Sequence, residues 1–325
     1  MRRRTVLALS TVVPVAIAGG AIATVNANAA TDTDASDASA SSIASFPTTI
    51  ALPDGFAPEG IAISGMYAFL GSRATGSVYK ANLATGAGEI IYTGPGTPSN
   101  GLKIDSHGRA FIAGNTGGDI RVISIKTGAL LASYQVTAPG ASFLNDVILV
   151  NGAAWFTDSF NVTLYKLPIA SNGALPGSAA DIVALPLSGI TITAATVNLN
   201  GITTTPDGKA LLVVQSNTGL LFKVNPATGA ATAVDLGGAS VINGDGLLLN
   251  GSQLIVVQNR SNAVEVFTLN RSGTAGTLST TITNDAFAIP TTVAPFDNRL
   301  YIVNGKLTTA ISTTEPYNFI AINRP

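Results

Sequence analysis

The chain has 325 residues, of which 46% are hydrophobic and only 11% are charged, and its formal net charge is −1. It contains no cysteine and a single histidine, His107, which excludes disulfides, thiolate metal sites and multi-histidine zinc sites. The near-zero charge and the lack of a basic cluster predict no nucleic-acid partner. The 34 glycines favour many short strands joined by tight turns.

Residues 1–29 have the features of an export signal. Three arginines at positions 2–4 precede a mostly apolar stretch over residues 6–25, and Ala27-Asn28-Ala29 fits a small-x-small cleavage site. The segment Arg3-Arg4-Thr5-Val6-Leu7 is also similar to the twin-arginine pattern. A membrane anchor is the alternative, but the glycines, the proline and the cleavage site in this stretch disfavour it. We therefore expect a secreted protein with no membrane segment once the signal is removed.

Residues 30–46 are rich in Ala, Ser, Thr and Asp and predict a disordered linker, because they can bury too little apolar surface to offset the entropy of ordering. The folded domain is then expected over residues 47–325. One unit repeats along this domain, and its clearest copy covers residues 200–236, with four short apolar strands separated by Asp-Gly, Asn-Thr-Gly and Ala-Thr-Gly turns.

Each copy of the repeat begins with an anchor residue that carries a side-chain oxygen. The anchors are Glu59, Asn100, Asn145, Asn200, Asp245 and Thr291. They are separated by 41, 45, 55, 45 and 46 residues, and the long third interval predicts an insertion around residues 170–195. A period of roughly 40–50 residues with four strands is typical of a β-propeller.

We therefore predict an all-β fold, a six-bladed β-propeller with four-stranded antiparallel blades. The last copy has only three strands, and residues 48–52 can add the missing outer strand, which closes the ring and removes an exposed sheet edge. A closed ring favours a monomer. A pair of β-sandwiches is the alternative, and the single anchor in each copy argues against it.

The anchors should meet at one mouth of the central channel, because each lies at the start of an innermost strand. Glu59 and Asp245 supply two carboxylates and the asparagines supply amide oxygens, a donor set that suits a hard divalent cation. We expect calcium to be held by four of the anchors, with a fifth, Asn100, nearby. The four expected ligands are Glu59, Asn145, Asn200 and Asp245.

Two alternatives stay open at this site. The channel could instead be a water-filled polar passage without a metal, and either Asn145 or Asp146 could face the axis, because a shift of one residue exchanges the two faces of a strand. Polar residues also recur where the second strands end. This second group is Ser72, Asn115, Asp158, Gln215, Gln258 and Asn304. Of these, we expect Asn115 and Asp158 to contact a substrate.

These motifs resemble the calcium-dependent propeller superfamily that includes gluconolactonases, regucalcin and paraoxonases. Glu59-Gly60 resembles the opening ligand glutamate, and Ser99 to Asp105 is similar to the gluconolactonase segment whose asparagine, here Asn100, touches substrate. Leu144 to Val147, Asn200 to Ile202 and Asp245-Gly246 are similar to later ligand segments.

The resemblance implies a metal-dependent hydrolase acting on a lactone or ester, with Asp245 as both metal ligand and catalytic base. Two features depart from the family pattern. Pro98 stands where gluconolactonases carry a substrate-binding arginine, and the sequence indicates no channel histidine because His107 lies in a hairpin turn on the opposite face. A non-catalytic binding or scaffold propeller with a structural calcium is therefore the alternative, and a condensing enzyme of the strictosidine-synthase type is a third.

Overall fold

The structure, a computed structural model, describes residues 46–194 and 196–325. The predicted export signal and nearly all of the predicted linker lie outside the described residues. The described chain folds into six four-stranded antiparallel sheets, in which every blade runs from its innermost to its outermost strand. This confirms the predicted six-bladed β-propeller. Within residues 46–194 and 196–325, no helix has the length and apolar character needed to span a membrane.

The first three blades use consecutive strands. Blade 1 consists of β2 (Pro58–Ser64), β3 (Tyr67–Ser72), β4 (Val78–Asn82) and β5 (Gly88–Tyr92). Blade 2 consists of β6 (Leu102–Ile104), β7 (Arg109–Ala113), β8 (Asp119–Ser124) and β9 (Leu130–Gln135). Blade 3 consists of β10 (Leu144–Val150), β11 (Ala153–Asp158), β12 (Thr163–Pro168) and β13 (Val183–Pro186). A three-residue 3-10 helix, Ala179–Asp181, precedes the last of these strands.

The remaining blades include the closure of the ring. Blade 4 consists of β14 (Leu199–Thr204), β15 (Leu211–Gln215), β16 (Leu220–Val224) and β17 (Ala231–Ala233). Blade 5 consists of β18 (Gly244–Asn250), β19 (Gln253–Gln258), β20 (Ala263–Leu269) and β21 (Gly276–Thr283). Blade 6 consists of β22 (Pro290–Phe296), β23 (Arg299–Asn304), β24 (Tyr317–Asn323) and β1 (Thr49–Leu52).

The N-terminal strand closes blade 6 as predicted. Strand β1 pairs antiparallel with β24, with Ile50 opposite Phe319 and Leu52 opposite Tyr317. Ahead of this strand, Phe46 packs against Phe296 with the ring centroids 5.8 Å apart. The ring is thus held together by strands from both ends of the described chain.

The hydrophobic core is divided into six clusters, one for each interface between neighbouring blades. Successive side chains on a strand point to opposite faces of its sheet, so each strand contributes to two clusters. In blade 1, for example, Ile61 packs towards blade 6 and Ala62 packs towards blade 2. Both faces of a blade are therefore covered by neighbouring blades, which explains why the strand sequences are continuous apolar runs.

Candidate functional site

The anchor residues lie in β-bulges at the start of the innermost strands. In five blades the pairing with the second strand skips two residues, which are an anchor and the residue after it. A bulge leaves these residues outside the regular ladder and re-aims their side chains. In blade 2 the corresponding pair, Asn100-Gly101, comes immediately before β6.

Glycine follows the anchor in four blades because the next blade leaves no room for a side chain. A Cβ atom on Gly60 would lie 2.4 Å from the carbonyl oxygen of Asn100, and one on Gly201 would lie 2.0 Å from the carbonyl oxygen of Asp245. Real Cβ contacts are essentially never that short. The anchor-glycine pattern is therefore a packing requirement that brings neighbouring bulges together around the axis.

Blade 3 has Asp146 in place of this glycine. The side chains of Asn145 and Asp146 occupy different places in the structure. Asn145 lines the cavity at the channel mouth, whereas Asp146 does not. The Oδ1 atom of Asp146 accepts a hydrogen bond from the Val147 amide at 2.8 Å and lies 4.0 Å from the Lys103 Nζ atom. Asp146 is thus a third buried carboxylate close to the anchors, partly balanced by a lysine.

The channel-mouth cavity has a volume of about 410 Å³ and opens to solvent. Its lining combines five anchors with further amides, two arginines and a few apolar side chains. The lining residues are Glu59, Arg73, Asn100, Asn115, Phe143, Asn145, Thr196, Val197, Asn200, Ser216, Asn217, Asn243, Asp245, Asn259, Arg260 and Leu307. The structure therefore brings together the four predicted metal ligands and two predicted substrate contacts, Asn100 and Asn115. The sixth anchor, Thr291, instead donates a hydrogen bond to the Glu59 carbonyl oxygen at 2.7 Å.

The structure does not bring Asp158 into the cavity. Its side chain is fully buried, and its Oδ1 atom accepts hydrogen bonds from the Phe143 amide at 3.0 Å and the Phe160 amide at 2.9 Å. Its Oδ2 atom accepts from the Asn161 side chain at 2.8 Å. The carboxylate thus holds its own turn together and does not face a ligand.

Like Asp158, most residues of the predicted second group come one position before the residue that faces the axis. The side chains of Gln215, Gln258 and Asn304 donate to backbone carbonyls of adjoining loops. The residues that face the axis mostly come one position later and form a second ring, which consists of Arg73, Asn115, Ser159, Ser216, Asn259 and Gly305. Only Asn115 belongs to both sets, because the residue predicted in blade 2 comes two positions after the end of β7, whereas the other predicted residues end their strands.

The cavity contains arginine, which the sequence did not indicate. Arg73 follows β3 and Arg260 comes two residues after β19, and both line the cavity. The position of the gluconolactonase arginine is occupied by Pro98, whose carbonyl accepts a hydrogen bond from the buried Arg121. The absence of arginine from that one position therefore does not mean that the channel mouth lacks a positively charged side chain. His107, in contrast, lies in an exposed turn as predicted, with 55% of its side chain accessible.

A chain of amides fixes one side of the cavity. Asn115 Nδ2 donates to Asn100 Oδ1 at 2.8 Å, and Asn100 Nδ2 donates to Asn145 Oδ1 at 3.2 Å. Asn145 Nδ2 then donates to Ser159 Oγ at 2.9 Å. Each amide is held in one orientation, with one N–H of Asn100 and Asn115 left to donate to a ligand.

Outside this chain of amides, three buried oxygens of the cavity lining have no hydrogen-bond partner among the described residues. They are Glu59 Oε2, Asn200 Oδ1 and Asn217 Oδ1. The Asn200 amide is oriented by a bond from its Nδ2 to Ser216 Oγ at 3.1 Å, and Asp245 Oδ2 accepts from Asn259 Nδ2 at 2.9 Å. Unpaired buried acceptors are costly, and acceptors from several elements that converge on one cavity suit a cation.

The pKa values of both anchor carboxyls are raised. Burial raises the pKa of Glu59 well above its ordinary value, and the negative charges of Asp245 and Asp146 add to this shift. Burial likewise raises the pKa of Asp245 to about 7, against the lowering effect of the Asn259 hydrogen bond. Both carboxylates would be stabilised by a nearby positive charge.

The donor set fits calcium. The side chains of Glu59, Asn145, Asn200 and Asp245 carry carboxylate and amide oxygens, which are the ligands that hard divalent cations prefer. In residues 46–194 and 196–325, no group of three or more His, Cys, Asp or Glu side chains is placed to hold a metal. The fit therefore depends on amide oxygens completing a site that has only two carboxylates.

These pKa shifts predict how pH changes the stability of the protein in a chelator. A carboxyl whose pKa is higher in the folded state binds its proton more tightly when folded, so stability falls as pH rises towards that pKa. Because the pKa of Asp245 is raised to about 7, we expect the chelated protein to melt at a higher temperature at pH 6 than at pH 8. Differential scanning fluorimetry of wild type and Asp245→Asn tests this, and the variant should show a weaker dependence. A wild-type melting temperature that increases from pH 6 to pH 8 would contradict the raised pKa values.

The chain in and just after the insertion predicted in blade 3 contacts both faces of the propeller. Its first part contacts the far face, where the Gly173 carbonyl accepts a 2.6 Å hydrogen bond from Arg109 Nη1. Its second part reaches the cavity, which Thr196 and Val197 line. Asn198 anchors this second part by donating to the carbonyls of Ser159 and Thr193 at 3.1 and 2.9 Å.

No family model matches the chain, and no curated protein matches it. Among solved structures, it is similar to the calcium-binding protein regucalcin from Agrobacterium tumefaciens, with 16% identity and a TM-score of 0.59 over 86% of this chain and 96% of that one. It is also similar to virginiamycin B lyase from Staphylococcus aureus, with 18% identity and a TM-score of 0.57 over 79% and 81% of the two chains. The allergen Mala s 1 from Malassezia sympodialis has 11% identity and a TM-score of 0.62 over 85% and 96%. At these identities the similarity shows a shared propeller fold and no more. Regucalcin, which the sequence motifs were expected to resemble, is among the proteins with this fold.

Proposed function

We propose that the protein is a secreted, calcium-dependent hydrolase that opens a lactone or cleaves an ester in the channel-mouth cavity. One observation carries the proposal: Glu59 Oε2 and Asn200 Oδ1, two of the buried oxygens without partners, belong to side chains that line an open cavity together with Asp245. Such a site can hold a cation and still admit a small molecule. The export signal pattern in residues 1–29 supports secretion, and the closed ring of blades supports a monomer.

When bound, calcium supplies a Lewis acid that polarises a carbonyl oxygen and makes a nearby water more acidic. The protein's own residues orient the substrate and move the proton. Asn100 and Asn115 donate hydrogen bonds from amides whose orientation is already fixed. Phe143 and Val197 give the cavity an apolar border that suits the carbon skeleton of a lactone.

Asp245 is the proposed base. Its Oδ2 atom is held by Asn259, which leaves Oδ1 to receive the proton from the attacking water. Burial raises the pKa of Asp245 to about 7 in the metal-free protein, and a bound cation would lower it, which keeps the carboxylate ionised and able to accept a proton. Protonation of Oδ1 would accompany attack, and the same proton could then pass to the departing alkoxide oxygen.

A panel of γ- and δ-lactones and aryl esters, assayed with and without a chelator, tests this proposal. We expect hydrolysis of at least one compound, loss of activity in chelator and recovery with calcium. Asp245→Asn should lower the rate by about 10²-fold or more, as is typical when a positioned base is removed. Asp285→Asn, which changes an exposed carboxylate on a loop outside the cavity lining, is the matched control. No turnover of any compound under any of these conditions would rule the hydrolase out.

A non-catalytic binding propeller with a structural calcium is the second candidate. The observation that favours it is the lack of histidine in the cavity, since His107 is the only histidine in the chain and lies elsewhere. This candidate predicts that calcium raises the melting temperature while no panel compound is hydrolysed. The two measurements together therefore separate the candidates.

A further inference from the structure

A second cavity lies between blades 3 and 4, away from the channel mouth. It has a volume of about 250 Å³ and shares no lining residue with the channel-mouth cavity. The turns that follow the innermost strands of the two blades border it, so it lies at the ends of those strands opposite the anchors. Asn151 Nδ2 joins the two turns by donating to the Gly208 carbonyl at 3.4 Å.

Trp155, the only tryptophan in the chain, forms part of the wall of this interblade cavity. The residue is only 4% exposed and belongs to the core cluster between blades 3 and 4, together with Leu211. Val150, Leu211 and Pro226 add further apolar surface to the lining. A small cavity with apolar walls suits the carbon skeleton of a ligand.

Two lysines supply all the charge of the lining. Lys166 pairs with Trp155 across β11 and β12, and its Nζ atom lies 5.3 Å from the centroid of the Trp155 ring. Lys209 is exposed in the turn of blade 4, and the ion pairs of residues 46–194 and 196–325 involve neither lysine. Asp207, in the same turn, accepts hydrogen bonds from the Thr205 hydroxyl at 2.6 Å and the Lys209 amide at 3.1 Å. The lining itself therefore holds two ammonium groups and no carboxylate.

We propose that the interblade cavity binds a small organic anion, whose apolar body lies against Trp155 and whose carboxylate is bound by Lys166 and Lys209. Two positive charges in the lining favour an anion over a neutral compound of the same shape, and the apolar walls bury its carbon skeleton. Ammonium groups on flexible lysine side chains suit a carboxylate that stays partly in water. The site goes beyond the proposed hydrolase and does not depend on it, because the two cavities share no residue.

Cyclohexanecarboxylate and cyclohexanecarboxamide test the site, because they have nearly the same shape and differ by one charge. Neither absorbs where tryptophan is excited, and the emission of the single Trp155 reports on this cavity. We expect a saturable change in emission with the carboxylate and about fivefold weaker binding of the carboxamide, as is typical of two partly exposed ion pairs. Isothermal titration calorimetry measures both affinities independently of the emission.

Lys166→Gln and Lys209→Gln each remove one charge and keep the side chain polar, and we expect each to weaken binding of the carboxylate by about twofold to threefold. Lys126→Gln is the matched control, since this exposed lysine lies in a turn of blade 2 outside the lining and should leave the affinity unchanged. The exposed position of Lys209 makes its variant the one least expected to disturb folding. Equal affinities for the two compounds, including no binding of either, would overturn the proposal, as would equal effects of Lys209→Gln and Lys126→Gln.

Discussion

Replacing Asp245 by asparagine is expected to abolish the stabilisation of the protein by calcium. A ligand that binds only the folded state at 100 times its Kd stabilises it by about 2.7 kcal/mol. For a domain of this size, that corresponds to a rise of about 5–10 °C in the melting temperature. Asp245→Asn keeps the shape of the side chain and its contact with Asn259 but removes one of only two anchor carboxylates.

The expected result is a calcium-dependent rise in wild type and none in the variant. Thermal denaturation with calcium and with chelator measures both. Asp285→Asn controls for the loss of one negative charge, because its carboxylate is exposed and lies outside the cavity lining. A variant that responds to calcium as strongly as wild type would show that Asp245 does not hold the ion.

The second large effect is expected from Gly201→Ala. The added methyl group would lie 2.0 Å from the carbonyl oxygen of Asp245 and 2.9 Å from the Leu247 amide nitrogen, both of which are backbone atoms. Relief requires the inner strands of blades 4 and 5 to move apart. Overpacking commonly costs about 1–3 kcal/mol, and we expect roughly 3 kcal/mol or more here because backbone yields less readily than a side chain.

Gly177→Ala is the matched control for this substitution. Gly177 is exposed, has no atom within 4 Å of an added Cβ and does not require a left-handed backbone. Urea denaturation should show a large loss of stability for Gly201→Ala and almost none for Gly177→Ala. Equal stabilities of the two variants would contradict the account of the anchor-glycine pattern as close packing between bulges.

Gly201→Ala should also weaken calcium binding, since the methyl group displaces the strand that carries Asp245. Calcium titration of the folded variant measures this effect. A weaker affinity would link the packing of the bulges to the geometry of the site, because the backbone segment that carries Asp245 takes part in both.

Repeats and turns made much of the fold predictable from the sequence. Asp207-Gly208 and similar turns mark strand ends locally, and the recurring anchors give the number of blades. The closing strand could be predicted because the last copy lacked one strand. The site could be predicted to the extent that a repeating anchor marks equivalent positions, which is why Glu59 and Asp245 were expected to share the cavity that they line.

The second ring could not be predicted, because its membership depends on the exact residue at which each strand ends. Asp158 and Arg73 illustrate the difficulty. Asp158 occupies the last position of β11 and turns into its own loop, whereas Arg73 lies one position beyond β3 and reaches the cavity. Side chains at adjacent positions face opposite ways, so an error of one residue replaces the whole set.

The glycines after the anchors were visible in the sequence, but their reason was not. A glycine next to an acid could mark a turn, a flexible position or a close approach. The approach of Gly60 to the Asn100 carbonyl depends on blades that are 41 residues apart in sequence. Only the assembled ring shows that contact.

The central claim is that the bulged anchors of separate blades build one cation site at the channel mouth. Calorimetric titration of calcium into protein that has been stripped with a chelator tests it most directly. We expect saturable binding of one calcium ion per chain in wild type and its loss in Asp245→Asn. Wild-type protein that takes up no calcium, or that binds it equally well without the Asp245 carboxylate, would contradict the claim.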